Sequence, residues 1–267
     1  MKKALWSSLA LAASSLALPA GAGEIGADLG FWRGSLSGDV KAQSNSIPAT
    51  RLSYGGLGMD TDKTIVPVEL FYRWGETGNH RVSMRYFEQT FKGQTVLTQT
   101  VTFKTFTFAA SSTLNSEMTL KDFDLDYQGD LWQEPHEKDA KGRPSAFWWT
   151  GGLKLVDMSA SLSASGVGTV HEGETAPIPV LGFGGRWNLP HGFSLDGGVS
   201  GLVLDVSGVK ASFYELVAET RWAFSENSDL SLGWRRWRLG ADIDSGSTKV
   251  DFTAQIQGLY LGLEHRF

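Results

Sequence analysis

The stretch Lys121-Asp122-Phe123-Asp124-Leu125-Asp126-Tyr127-Gln128-Gly129-Asp130-Leu131 alternates polar and apolar residues. Successive side chains of a β-strand point to opposite sides, so Asp122, Asp124, Asp126, Gln128 and Asp130 share one face and Phe123, Leu125, Tyr127 and Leu131 the other. A soluble sandwich would bury the apolar face and wet the Asp face, so this strand alone fits a sandwich as well as a membrane barrel. Its neighbours decide. Val66, Val68, Leu70, Tyr72 and Trp74 alternate with Pro67, Glu69, Phe71 and Arg73, and Val82, Met84 and Tyr86 with Arg81, Ser83 and Arg85. Leu181, Phe183, Gly185 and Trp187 alternate with Gly182, Gly184, Arg186 and Asn188, and Leu216, Ala218, Thr220, Trp222 and Phe224 with Glu215, Val217, Glu219 and Arg221. Repeated strands with one greasy face and one charged or glycine face, separated by turn signals, are the signature of a transmembrane barrel.

Turn signals divide the chain into ten strands: 25–41, 63–75, 79–92, 117–132, 145–163, 176–188, 192–207, 211–224, 229–243 and 249–267. The fold class is thus all-β, a transmembrane antiparallel up-and-down barrel of ten strands, with twelve or eight as alternatives. Twelve results if Leu52–Met59 and Thr100–Phe108 are also membrane strands. An even count puts both termini on the periplasmic side. The longer connections, 42–62, 93–116 and 164–175, then gather on the other, extracellular face. Trp74, Trp187 and Trp222 with Phe224 each precede a short turn, and Trp132, Trp148 and Trp149 flank another. Aromatic rings favour the headgroup level, so these residues predict an interfacial girdle on the short-turn side.

The first two dozen residues have another character. Lys2 and Lys3 precede an apolar stretch from Ala4 to Leu18, and small residues at Ala20 and Ala22 suit a signal peptidase. Residues 1–22 are expected to be a removed signal peptide, and 23–267 a single outer-membrane barrel domain. Beyond them no run of about eighteen apolar residues occurs, so a mature chain that spans a membrane does so as a closed barrel. The chain has no cysteine, which excludes disulfides and a lipidated N-terminal Cys. A net charge of -5 without a basic stripe argues against nucleic acid as a partner.

The C-terminus, Leu259-Tyr260-Leu261-Gly262-Leu263-Glu264-His265-Arg266-Phe267, ends on an aromatic with apolar residues at every second position before it. It resembles the terminal strand of bacterial outer-membrane proteins, and His265 departs from the aromatic usual at its position. The resemblance implies that Leu259, Leu261, Leu263 and Phe267 carry an assembly signal, with the barrel-assembly machinery and outer-membrane lipid as partners. Gly56-Leu57-Gly58-Met59, Val68–Trp74, His80–Phe87, Phe123–Tyr127 and Pro179-Val180-Leu181-Gly182 are also similar to a group of largely uncharacterised outer-membrane barrels. That likeness implies a fold and an outer-membrane location but no activity.

Candidate chemistry is sparse. His80, His136, His191 and His265 fall at periplasmic turns or strand ends, and His171 lies in an outer loop beside Glu172 and Glu174. None belongs to a Ser-His-acid spacing, so no catalytic residue, cofactor or metal ligand is expected and the chain is read as a non-enzyme. The Asp ladder lacks the glycine turn of a calcium loop. It reads instead as part of a lumen ion network of Arg85, Asp122, Asp124, Asp126, Lys154, Glu219 and Arg235. Counting up from the turns puts Arg85 and Lys154 near the level of Asp124 and Asp126, and Glu219 near Arg235. Along Trp234-Arg235-Arg236-Trp237-Arg238-Leu239 the alternation slips by one residue. A β-bulge turning Arg236 and Arg238 inward and Trp237 outward would restore it, and an error of register is the alternative.

Two functions fit. The expected one is a narrow porin-like channel for small polar solutes or ions, favoured by inward glycines at Gly182, Gly184 and Gly198. The other is a non-conducting structural or surface-contact barrel displaying extracellular loops, favoured by the many long inward charges.

Overall fold

The computed structural model describes residues 23–44, 49–75, 77–135, 143–206, 209–244 and 248–267. The expected signal peptide at 1–22 and His136 lie outside them. Strands follow one another as β1 (Glu24–Ser44), β2 (Leu52–Ser53), β3 (Asp62–Ile65), β4 (Val68–Trp74), β5 (His80–Val96), β6 (Val101–Phe103) and β7 (Phe106–Phe108). They continue with β8 (Thr113–Gln133), β9 (Ala146–Ala164), β10 (Gly168–Asn188), β11 (Phe193–Val206), β12 (Val209–Ala223), β13 (Ser228–Asp244) and β14 (Thr248–Arg266). A ring of ten hydrogen-bonded strands closes when β14 pairs antiparallel with β1, from Gly26 opposite Arg266 to Ser44 opposite Thr248. The order round the ring is β1, β4, β5 and then β8 to β14 in succession. Short β3 and β2 continue the β4 position farther along β1, and β6 and β7 form a separate hairpin. The segments considered as extra membrane strands therefore stay out of the ring, and the ten-strand expectation holds.

The start of β1, the end of β14 and the β4–β5, β10–β11 and β12–β13 turns lie at one end, here the terminal end, and the long β1–β4 and β5–β8 connections at the other, the loop end. From the terminal end the outward face of β1 reads Ile25, Ala27, Leu29, Phe31, and then Arg33, Ser35, Ser37. On β9 it reads Phe147, Trp149, Gly151, Leu153, Leu155, and then Asp157, Ser159, Ser161, Ser163. On β14, counted from the terminal end, Phe267, His265, Leu263, Leu261 and Leu259 give way to Gln257, Gln255 and Thr253. Many of the apolar outward residues are exposed, among them Phe31, Leu153, Leu181, Phe183, Leu232 and Leu261. A band of exposed apolar side chains on consecutive strands requires hydrocarbon around it, and closing the ring lets the strands pair their backbone groups there. Trp74, Trp132, Trp149, Trp187 and Trp222 rim the band at the terminal end, several of them in ring contacts such as Tyr72 with Trp74 at 5.5 Å and Phe193 with Trp222 at 6.0 Å. Trp148 departs from the girdle and faces inward.

The inward face changes in the opposite sense. Next to the apolar band the inner positions are charged or glycine, whereas beyond it Trp32, Leu36, Phe87, Phe91, Leu114, Met118, Leu120, Val156, Trp237 and Ile256 form one buried apolar core. The loop-end half is thus built like a soluble barrel standing on a membrane barrel. This switch, and not a bulge, explains the slip at Trp234–Leu239. β13 pairs without a register break with both β12 and β14. Arg236 faces outward and donates to Gln255 Oε1 at 2.6 Å, while Trp237 is buried inside. The expected inward turn of Arg236 and Arg238 is overturned because outward ceases to mean lipid at that height.

The β1–β4 connection helps to fill the core. Leu57 is 1% exposed, Met59 bridges to Gly93, and the Asp60 N–H donates to the Lys92 carbonyl at 2.9 Å. Gly58 has φ +69, and a Cβ on Gly93 would lie 2.5 Å from the Gly58 and Met59 backbone, so this close approach needs both glycines. Burial pushes the Tyr54 phenol up, and its hydroxyl has no hydrogen-bond partner, so apolar packing holds the segment in place. The β6–β7 hairpin covers it with Val101, Phe103 and Phe108 buried, and is tied by Thr50 N–H to the Thr102 carbonyl and Lys104 N–H to the Ala42 carbonyl. The connection expected at 164–175 is instead strand. β9 and β10 pair up to Ala164 opposite Gly168, leaving a tight turn, and a polar outward face with small residues made these extensions read as loop.

The height of the switch is testable on one face of one strand. Leu153→Arg should cost about 2–4 kcal/mol in unfolding measured from lipid bilayers, as expected for a charge in hydrocarbon. Ser159→Arg, also outward, should stay within about 0.5 kcal/mol.

Candidate functional site

Inside the apolar band the inward positions of all ten ring strands converge on a layered set of charges. Nearest the core, the register sets Arg85 of β5 and Lys154 of β9 directly across from Asp124 of β8. Arg85 donates to Asp124 at 2.5 and 2.9 Å and crosses the lumen to Glu215 of β12 at 2.8 Å. Lys154 bonds Asp124 and also Asp122, the latter at 3.0 Å, and its ammonium lies 4.8 Å from the Phe213 ring centre. Trp237 Nε1–H donates to Asp122 at 2.8 Å, so one indole joins the last charged layer to the apolar core above it. Each of these carboxylates is thereby paired or hydrogen-bonded, as a buried charge must be.

Toward the terminal end, Arg221 is shared among Glu219 at 2.6 Å, Glu264 at 3.0 Å and Asp196 at 3.4 Å. Arg186 grips Asp196, to which Ser194 also donates, and Arg143 reaches in from the turn before β9 to bond Glu264. Arg81 bonds Glu69 at 2.5 Å, and Tyr260 donates to Asp28 at 2.8 Å with Arg235 over its ring at 4.3 Å. A cavity of about 210 Å³ lies among these layers, bordered by Arg73, Arg81, Arg143, Arg186, Asp126 and Glu219 among others.

Of the residues expected in the network, Arg85, Asp122, Asp124 and Lys154 form one cluster, and Arg235 joins it through Glu215 at 3.5 Å. Glu219 lies inside but bonds Arg221 of its own strand rather than Arg235, since Arg235 stands opposite Val217. Asp126 lines the cavity with its side chain over Gly152, and it is Asp124 that holds both Arg85 and Lys154. Glu215, Trp237, Arg143, Arg186, Asp196, Arg221 and Glu264 belong to the network but were not among the residues expected in it. Their alternation marked most of them as inward, but partners across the lumen appear only once the ring closes. The inward glycines do not simply leave space. A Cβ at Gly184 would lie 2.6 Å from the Trp148 indole, which occupies that room.

Histidines stay apart from this network. His80 Nδ1 lies 2.7 Å from the Tyr127 hydroxyl and stacks on Trp74, and His191 occupies the turn before β11 with φ 65. His171 is exposed on β10, as is Glu174, whereas the Glu172 side chain lies outside the described residues. His265 Nδ1 meets Ser228 Oγ at 2.9 Å, a pair that spacing did not suggest, and packs edge-on against Phe267 at the terminal rim. Among the described residues no group of three or more His, Cys, Asp or Glu is arranged to hold a metal ion.

No family model matches the sequence, and no curated protein matches it. Solved structures do match. The outer membrane protease OmpT from Escherichia coli aligns with a TM-score of 0.56 at 12% identity, over 91% of this chain and 97% of that one. The transport unit of the autotransporter AIDA-I from Escherichia coli gives 0.47 at 10% identity, over 98% and 97%. Neisserial surface protein A gives 0.33 at 13% identity, over 92% and 97%. Identities this low speak for architecture and leave activity open. With its closed ring and apolar band, the chain has the bacterial outer-membrane β-barrel fold, in a ten-stranded form.

Proposed function

We propose that this outer-membrane barrel is closed, and that it serves as a structural or surface-contact protein rather than a channel or an enzyme. The observation that carries this reading is the apolar core filling the loop-end half, in which Trp32, Leu57, Phe91, Phe108, Leu114, Met118 and Trp237 are at most 1% exposed. An ion crossing it would be stripped of water with no polar group to replace the shell. The charged layer beneath it, held through Asp124, is a second barrier. In this reading the termini face the periplasm and the loop end stands outside the cell.

The loop end also suits contact. β10 and β11 pair only from Leu181 opposite Gly201 to Asn188 opposite Ser194, although β10 runs on to Gly168. Beyond Leu181 the β10 edge facing β11 has no ladder partner among the described residues. Pro177 and Pro179 lack N–H donors in its first part, and the remainder is a strand edge of the kind to which an extended partner segment adds. Leu259, Leu261, Leu263 and Phe267 face outward on β14, the strand that closes the ring, in keeping with a role in recognition by the barrel-assembly machinery.

Purified protein in planar bilayers should give no stable single-channel steps, and steady conductance steps from the wild type would overturn the closed-barrel reading. Asp124→Ala should lower stability by about 3–5 kcal/mol, because Arg85 and Lys154 lose their shared partner. Asp126→Ala should cost no more than about 1 kcal/mol in the same denaturant titration. Deleting Phe267 should reduce the amount of barrel inserted in cells, read as the heat-modifiable band on a denaturing gel, while leaving export unaffected.

A further inference from the structure

Arg73 and Arg81 stand directly opposite each other on β4 and β5, both inward. Like charges in that position repel and are ordinarily avoided. Arg81 and Arg143 also converge on the Phe71 ring, at 4.2 and 5.8 Å from its centre. Together with Arg186, all of these line the same cavity of about 210 Å³. Arg81, Arg143 and Arg186 each have one carboxylate, in Glu69, Glu264 and Asp196. Arg73 has no ion pair among the described residues. Three donors, Arg73 Nε, Arg81 Nε and Arg143 Nη1, are buried without a hydrogen-bond partner, and the Arg143 side chain is only 8% exposed.

Buried guanidinium donors are costly to leave unmade, and a fork of planar N–H groups matches the oxygens of a phosphate-like anion. The cavity is far larger than the ~10–15 Å³ that one water needs. We infer that Arg73, Arg81, Arg143 and Arg186 form a binding site for a tetrahedral oxyanion, a phosphoryl group either free or carried by a lipid headgroup. The anion lies between the opposed Arg73 and Arg81, and its oxygens accept from guanidinium N–H groups that turn toward it from the cavity wall. The site holds its ligand and does not pass it through the barrel, since the apolar core lies beyond.

Thermal unfolding of the detergent-solubilised full barrel tests this at constant ionic strength, with inorganic phosphate in one arm, short-chain phosphatidic acid in a second and chloride as the control. Phosphate at a hundred times its dissociation constant should raise the apparent folding constant about a hundredfold. Arg73→Gln should weaken that binding by about tenfold to a hundredfold, the worth of a charged hydrogen bond. Because it also relieves the Arg73–Arg81 repulsion, the variant should unfold no more easily than wild type in chloride. A response to phosphatidic acid alone assigns the phosphoryl group to a lipid, and a response to phosphate as well assigns it to the free anion. Arg73→Lys keeps the charge but not the fork, and should bind with intermediate strength, which provides the comparison if Arg73→Gln fails to assemble. No response of the wild type to either probe, or equal responses of wild type and variant, would overturn the site.

Discussion

A strand in hydrocarbon must turn its apolar side chains outward, and a strand in water must turn them inward. The long strands of this barrel obey both requirements in succession, and the rest of the structure depends on that crossing. Backbone hydrogen bonds run through the border without interruption along β1, β8, β9, β13 and β14. Only the side-chain pattern inverts, between Phe31 and Arg33 on β1, Phe123 and Lys121 on β8, and Leu155 and Asp157 on β9. Because side chains alternate with a period of two, inverting the outer face also inverts the inner one. A charged lumen within the membrane and an apolar core above it are therefore one consequence of a single pattern.

The border between the two interiors is the chemically demanding place. Charges with little access to water must be matched, and the matching is dense: Asp124 serves Arg85 and Lys154, Asp122 serves Lys154 and Trp237, and Glu215 serves Arg85 and Arg235. Such pairs contribute little net stability over apolar replacements, yet losing one member leaves a strongly destabilising orphan. One of them, Arg85 with Glu215, joins β5 to β12 across the lumen. At the terminal end the matching is incomplete around Arg73 and Arg81, two of the residues that line the cavity.

Strand positions were legible in the sequence wherever the alternation met lipid on one face and charge on the other, as in Phe123–Tyr127 or Leu181–Trp187. The ring size was legible because turns and long connections sorted to opposite ends. What failed was the upper half of the strands. Residues 168–175 of β10 looked like loop because a polar outward face was read as absence of strand. Trp237 looked misplaced for the same reason. Counting from the turns brought Arg85, Asp124 and Lys154 together, since they are ladder neighbours. It could not find Glu215 or Trp237, whose contacts with Arg85 and Asp122 span the lumen and exist only after closure.

Spin labels placed singly at residues 147–163 of β9 test the two-solvent barrel most directly, by comparing collisions with oxygen, concentrated in hydrocarbon, and with a water-soluble nickel complex. Oxygen-accessible sites are expected at odd positions from Phe147 to Leu155, water-accessible sites at odd positions from Asp157 to Ser163, and protection from both reagents at Val156 and Leu162. Oxygen access continuing through Ser163, or nickel access at Val156 and Leu162, would contradict it.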